Sequence, residues 1–527
     1  MLNNIKFNLP NGYYEQQLIS ALADQYIIKK EQYHSEVISF YDTFDWRLFS
    51  KSLVLYESRR KLCLRELNKS EVIHSIEINS PPIFIWEFPY SELKNQLTPI
   101  IDVRALLRLF EVQSRSTHYR ILNQDEKTVL RLSYEEIRSS RDRNALPLAA
   151  YLWLLPVKGY PKYYRGIAKR LQEAGRRISK EDTIYIKGLE AVNKKPGSYS
   201  TKVDIQLDPD MRADHATRSI LKYLLRIIRI NETEIEKDID TEFVHDFRVA
   251  IRRTRSALGQ IKYVFPSNIT NRFKKNFSFL FNLSNELRDL DVYLLHEDRY
   301  KMRLPPSFRD DIHPLFDYLR KKRSKALQRL VRVIKSKKYT KILNDWEAFI
   351  NKPQTASPTA TNAEFHIIDL ARNRIYKKYR DVVKTGSLIK GDIDDRMLHV
   401  LRIHCKKLRY LMEFFYSLFP PEKIESLIKQ LRKLQDNLGV FNDLRIQEQY
   451  LLNITKELPA VEGQLNKTSI AIGGLVNTLS KEKRMVKDAF AEIFKDFSST
   501  ENKELFQELF TSQTPEVHNE NIGHLQQ

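Results

Sequence analysis

Two short stretches, 154 residues apart, hold the side chains most able to do chemistry. His245–Arg255 reads HDFRVAIRRTR, and His399–Arg409 reads HVLRIHCKKLR. Both fit His-x-x-Arg-x-x-x-basic-basic-x-Arg, which marks an internal repeat. On an α-helix at about 100° per residue, Arg248, Arg252 and Arg255 fall within about 80° of His245, while Phe247, Ile251, Leu258, Ile261 and Phe265 gather on the far side. The second copy places His399, Arg402, Lys406 and Arg409 on one face and Leu401, Cys405, Leu408, Met412, Phe415 and Phe419 on the other. Arg253 and Lys407 flank the two stripes. The charged face of an ordinary amphipathic helix is only solvated. These stripes lack the interleaved acids of i,i+4 ion pairs, so their cations repel one another and an anion is expected opposite them.

Each copy is followed by an acidic element, Leu287–Val292 (LRDLDV) and Phe441–Ile446 (FNDLRI), which aligns Asp289 with Asp443. A short acid in a basic bundle orients an arginine by hydrogen bonding. Asp289 and Asp291 could together suggest a metal pair, but the second copy has Arg445 in place of the second acid, and no metal is expected. The most basic stretch, Tyr318–Lys341, has 11 basic residues in 24 and no acid. Leu319, Leu327, Leu330, Val331 and Ile334 give it a helical apolar stripe. Arg372–Lys384, with Arg374, Lys377, Lys378 and Arg380, is its weaker partner in the second half.

The elements that must position these residues change character near residue 200. Before it, short β-like runs (Val37–Tyr41, Leu53–Glu57, Tyr119–Leu122, Thr128–Leu132) alternate with turns, and a helix is expected over Tyr164–Gly175. Asn193–Ser200 (NKKPGSYS) reads as a linker. Beyond it the apolar spacing is helical almost throughout, broken at Asn351–Asn362 (NKPQTASPTATN). The expected domains are residues 1–200, then 201–500 in halves 201–350 and 363–500, then an acidic tail, 501–527.

The charge follows the same division. The 527 residues carry 88 Lys+Arg against 67 Asp+Glu, a formal net of +21. Residues 251–450 alone hold 41 basic and 22 acidic side chains, a net of +19, whereas residues 1–200 hold +8 and the last 27 hold −4. A concentrated field binds polyanions; a diffuse one mainly solubilises. With 42% hydrophobic residues the chain is no disordered basic tail. Fourteen glycines are few for Gly-rich nucleotide loops. Two distant cysteines, Cys63 and Cys405, make no disulfide framework, zinc set or iron–sulfur site. The N-terminus shows no signal-peptide pattern, and the longest apolar run, Leu146–Val157, is 12 residues with two prolines. A soluble, cytoplasmic protein is expected.

The repeated motif and its Asp-Leu elements resemble a CHAD domain, the conserved histidine α-helical domain, over about residues 205–500. The resemblance implies two pseudo-symmetric four-helix bundles whose basic residues line a cavity that binds inorganic polyphosphate. It carries this role onto His245, Arg248, Arg252, Arg253, Arg255, His399, Arg402, Lys406, Lys407 and Arg409, with Arg320 and Arg323 on the following basic helix. Arginine forks and lysine point charges suit phosphate oxygens, and the flanking cations should depress the histidine pKa values until a polyanion binds. Such domains are often joined to a CYTH domain, a triphosphate-tunnel fold, which residues 1–200 resemble at Phe40–Phe49 (FYDTFDWRLF) and Val112–Arg120 (VQSRSTHYR). Of that family's opening Glu-x-Glu-x-Lys only Lys6 is present. Its paired arginines fall on Tyr56 and Ser58, and its late Glu-x-Glu falls on Trp153 and Leu155. Metal-dependent hydrolysis needs such carboxylates.

The fold class expected is therefore α+β: a degenerate tunnel-like antiparallel β domain followed by an all-α CHAD domain. The expected function is non-catalytic polyphosphate binding with no cofactor, no membrane and an open oligomeric state, with polyphosphate granules as a site. Two other readings stay open: a tripolyphosphate or polyphosphate hydrolase using the N-terminal domain, and a nucleic-acid binder.

Overall fold

The computed structural model describes residues 3–10, 15–23, 25–69, 71–139, 147–173, 177–178, 183–201, 203–352, 357–389, 394–458 and 464–511. Its contacts divide the chain into two compact units, Met1–Ser200 and Thr201–Gln527.

The first unit is built on one antiparallel sheet. Its elements run β1 (Ile5–Leu9), α1 (Glu15–Ala23), β2 (Ile27–Thr43), β3 (Leu53–Ser58), β4 (Lys61–Glu66), β5 (Val72–Glu77), α2 (Glu92–Ile101), β6 (Leu106–Leu122), β7 (Thr128–Ser139), β8 (Ala149–Pro156), α3 (Pro161–Glu173), β9 (Arg177–Ile178) and α4 (Ile184–Ala191). The strand order is β5-β4-β3-β2-β6-β7-β8-β1-β9. The four β-like runs are parts of β2, β3, β6 and β7, and the apolar run ending at Val157 forms β8, with Leu146 outside the described residues. The helix expected over Tyr164–Gly175 is α3, with Gly175 likewise outside.

Side chains alternate across each strand, so both faces of the sheet bury apolar clusters, one of them where β3 and β4 meet α2. Phe7, Ile121, Leu130, Leu132, Leu152 and Leu154 pack with α1 and α3 on one face. On the other, Phe40, Phe110, Val112, Ile137 and Tyr151 pack with Ile184, Tyr185 and Leu189 of α4. Phe40 stacks on Phe110 with ring centroids 4.7 Å apart. Lys6 lies on this aromatic side, its ammonium 3.6 Å from the Tyr151 ring centroid and 5.1 Å from that of Trp153. The Asp of the FYDTFDWRLF segment is structural. Asp42 is fully buried, accepts hydrogen bonds from the backbone N–H of Thr43, Leu48 and Phe49, and is pushed up to about 6 by burial.

The second unit is helical: α5 (Ala213–Ile235), α6 (Glu242–Gln260), α7 (Ser267–Leu283), α8 (Asn285–Leu295), α9 (Glu297–Met302), α10 (His313–Ile334), α11 (Lys337–Asn351), α12 (Ile367–Ser387), α13 (Asp395–Phe414), α14 (Pro421–Ile454), α15 (Gln464–Asp488), α16 (Phe490–Phe497) and α17 (Thr500–Phe510). The motif helices are α6 and α13. Each turns its apolar stripe inward: Phe247, Ile251 and Leu258 on α6, and Leu401, Cys405, Leu408 and Met412 on α13 are buried. The repeat is visible in the order of long helices, with one difference. Its third member is a single 34-residue helix in the second half, α14, and is broken at Ser284 into α7 and α8 in the first. The acidic tail expected from residue 501 begins later. Thr500–Phe510 is helical because Phe506 and Phe510 bury against the second half, Phe506 stacking on Tyr379 at 3.8 Å. Residues 512–527 lie outside the described residues. No described helix is long and apolar enough to cross a membrane.

Gly188 shows how tightly α4 closes the aromatic side of the sheet. A Cβ there would sit 2.1 Å from the Phe110 ring, whereas one at Gly166 on α3 would meet nothing within 4 Å. Gly188→Ala is expected to cost about 1–3 kcal/mol by overpacking, and Gly166→Ala to gain up to about 1 kcal/mol from helix propensity. Urea unfolding of the two variants checks both signs.

Candidate anion-binding cleft

The two motif helices meet. Arg252 on α6 donates from Nε to the Tyr410 hydroxyl of α13 at 2.6 Å, and Arg253 pairs with Glu413 at 2.7 Å while also donating to the Thr201 carbonyl. Beside this junction lies a cleft of about 530 Å³. Its cationic lining is Arg252 and Arg253 from the first copy and Arg402, Lys406 and Arg409 from the second, with His245 at its edge. Gln435, Asp436, Gly439 and Asp443 of α14 complete the wall.

The acids missing from the cationic stripes come from beyond them, and Asp246, inside the first motif window, also lines the cleft. Glu413, one turn beyond Arg409, approaches Arg409 at 3.5 Å as well as Arg253. Asp443 lies 3.6 Å from Arg402, the orienting role expected of it. These pairs leave donors over. Among the described residues the Nε groups of Arg253 and Arg402 are buried without a hydrogen-bond partner, and a buried unsatisfied donor calls for an acceptor. Lys406 is the most perturbed cation. Burial, then the adjacent Arg252 and Arg402, push its ammonium down to about 7, against the pull of Asp443. Burial likewise lowers Arg402.

Six of the residues singled out from sequence are turned elsewhere. Arg248 is buried against the first half, donating to the Phe281 carbonyl (3.3 Å), Ser284 Oγ (3.2 Å) and Asn285 Oδ1 (2.7 Å), and burial lowers it to about 10. Arg255 lies over the same Phe281 ring at 5.3 Å. Arg320 is held by Glu297 and Asp317. Arg323 is held by Asp238 at 2.6 Å and by the fully buried Asp291 at 2.7 Å, so in the first half the orienting acid is Asp291, and it serves a different arginine. His399 pairs with Asn442 at 3.2 Å. Lys407 faces away from the cleft towards α12. In exchange the structure adds Tyr410, Glu413, Gln435 and Gly439. Tyr410 and Glu413 follow the motif at helical spacing, which is the one signal for them in the sequence.

The repeat explains why one cleft opens and its counterpart does not. At the same offset of 154 residues, Phe281 corresponds to Gln435 and Asn285 to Gly439. Phe281 and Asn285 fill the space beside Arg248 and Arg255. Gln435 folds back to donate to the Cys405 carbonyl at 2.6 Å, and a Cβ at Gly439 would meet nothing within 4 Å, so the space beside Arg402 and Arg409 stays open. Glu242, His245 and Asp246 are the one group of described residues whose ligand atoms converge within 4.8 Å, and Arg288 already bridges Glu242 at 3.1 Å.

The basic residues of two repeats thus meet around one cleft of the helical unit. Residues 219–452 match the CHAD domain family model, and the chain carries a CHAD domain there. No curated protein sequence matches the chain. Among solved structures, it is similar to the CHAD domain from the plant Ricinus communis (23% identity over 56% of this chain and 97% of that one, TM-score 0.48). It is also similar to PptA from Streptomyces chartreusis (16% identity, 54% and 99%, TM-score 0.42). A putative adenylyl cyclase from Hippeastrum with a dominant triphosphatase activity is similar at 18% identity, over 37% of this chain and 99% of that one, with TM-score 0.25.

Copying the closed side onto the open one tests this account of the cleft. Gln435→Phe with Gly439→Asn is expected to fold and to cover Arg402 and Arg409. Acylation of Lys406 at neutral pH, read by peptide mass, should fall sharply in that variant; labelling at the wild-type rate would mean that the cleft stays open.

Proposed function

We propose that this chain is a non-catalytic inorganic polyphosphate-binding protein that holds the phosphate chain in the cleft between α6 and α13. The observation that carries this reading is the convergence of Arg252, Arg253, Arg402, Lys406 and Arg409, with the buried Nε groups of Arg253 and Arg402 lacking a hydrogen-bond partner among the described residues. Phosphate oxygens are the acceptors such forks accommodate best, and a chain of them spans several forks at once.

One rival reading loses support from a particular residue. A base-stacking nucleic-acid site needs an open aromatic face, and Tyr410, the aromatic residue among those lining the cleft, is 2% exposed with its hydroxyl held by Arg252. Within a cell the proposed ligand would take the protein to cytoplasmic polyphosphate granules.

Arg252→Ala/Lys406→Ala removes one contact from each repeat. At about 1.5–3 kcal/mol for each charged hydrogen bond, polyphosphate affinity in a filter-binding assay should fall at least a hundredfold. An unchanged affinity would reject the site.

The pH dependence has a definite sign. Free Lys406 loses its proton near pH 7, and a bound polyanion raises that value, so binding above pH 7 takes up a proton. Affinity should therefore weaken between pH 7 and pH 9. The charges facing Lys406 are Arg252 from α6, Arg402 and Arg409 from α13 and Asp443 from α14. Lys406→Arg keeps a permanent charge and should flatten the profile; the same slope in both proteins would exclude Lys406 as the titrating group.

A further inference from the structure

A second group of cations stands on the other flank of α13. Lys407 is the motif counterpart of Arg253, yet its neighbours are different. It is within electrostatic reach of Lys378 on α12, Lys262 in the turn after α6 and Lys274 on α7. His404, one turn earlier on α13, faces Lys378 and Lys407. The elements come from both halves of the helical unit, so the cluster exists only once the two halves have packed.

One acid serves this group. Asp381 binds Lys378 at 2.5 Å and lies 3.9 Å from His404. Nδ1 of His404 is buried and has no hydrogen-bond partner. At the edge of the cluster Arg374 lies 5.9 Å from the Tyr263 ring, is held to the Lys262 carbonyl by a 3.5 Å contact and has a buried Nε without a partner. Four lysines around one carboxylate repel one another, and the arrangement is relieved by an added anion. Lys406 and Lys407 are consecutive, so the cleft and this cluster adjoin across a single helix.

We propose that Lys407, Lys378, Lys262, Lys274 and His404 form a second phosphate-oxyanion site, which takes the part of a polyphosphate chain that extends beyond the cleft. This rests on the polyphosphate reading of the cleft and adds a chain-length preference to it. A tripolyphosphate is held by the cleft alone; a long chain crosses α13 and engages both sites.

Lys262 and Lys274 are exposed, so Lys262→Ala/Lys274→Ala leaves the core intact. Calorimetric titration of this variant and the wild type with tripolyphosphate and with long-chain polyphosphate, at several salt concentrations, tests the proposal. The expected result is unchanged tripolyphosphate affinity, long-chain affinity lowered about tenfold or more, and a long-chain salt slope smaller by about two, one for each lost charge. Equal affinities of variant and wild type for both probes would overturn it. So would an equal loss for both probes, which would mean that the lysines act only through the general field. A wild-type protein that binds neither probe would reject the reading of the cleft itself.

Discussion

Two helices that each carry a row of cations cannot be laid side by side without a means of relieving the repulsion. At an effective dielectric constant of 20, a pair of like charges 4 Å apart costs about 4 kcal/mol. The junction of α6 and α13 meets this constraint by interleaving. Arg252 donates to a phenol, Arg253 and Arg409 share Glu413, and Arg402 leans on Asp443. Among the described residues Lys406 obtains no such partner within ion-pair distance, and burial with its cationic neighbours lowers its pKa to about 7 instead. The apolar faces opposite, closed by residues such as Phe247, Leu401 and the completely buried Trp346, supply the cohesion that holds the charged faces together.

The two repeats solve the same problem differently. Their motifs agree in spacing, but the helix behind each one differs in what it offers. The break at Ser284 and the bulk of Phe281 close the first copy, while a continuous α14 carrying Gln435 and Gly439 leaves the second open. Function in such a pair is decided by the packing partner as much as by the motif.

That distinction marks what could be read from the sequence. Helical periodicity placed the charged and apolar faces of both motif helices correctly, and the Pro- and Gly-containing segment before Ser200 lies where the two units divide. A helical wheel gives direction without naming the neighbour. Arg248 and Arg255 lie on the edge of α6 that faces Phe281, so they were indistinguishable by spacing from Arg252. Arg323 stands in a stretch without acids and so reads as a candidate, although Asp238 and Asp291 reach it from 85 and 32 residues away. In the first unit the short apolar runs located four strands but not their length, since β2 and β6 run 17 residues each and the first half of β2 is largely exposed and polar. The aromatic packing around Lys6 depends on strand register and was not legible at all.

The closed copy has one further meaning. Around Arg248 the chain has placed three oxygens of its own, from a backbone carbonyl, a hydroxyl and a side-chain amide. The first repeat thus fills with its own atoms the space that stays open beside Arg402 and Arg409 in the second. It sketches the outline any guest must match: several acceptors, closely spaced and presented to one guanidinium. A polymer of repeating oxyanions offers that outline at every position along its length, so it needs no particular end or register to fit.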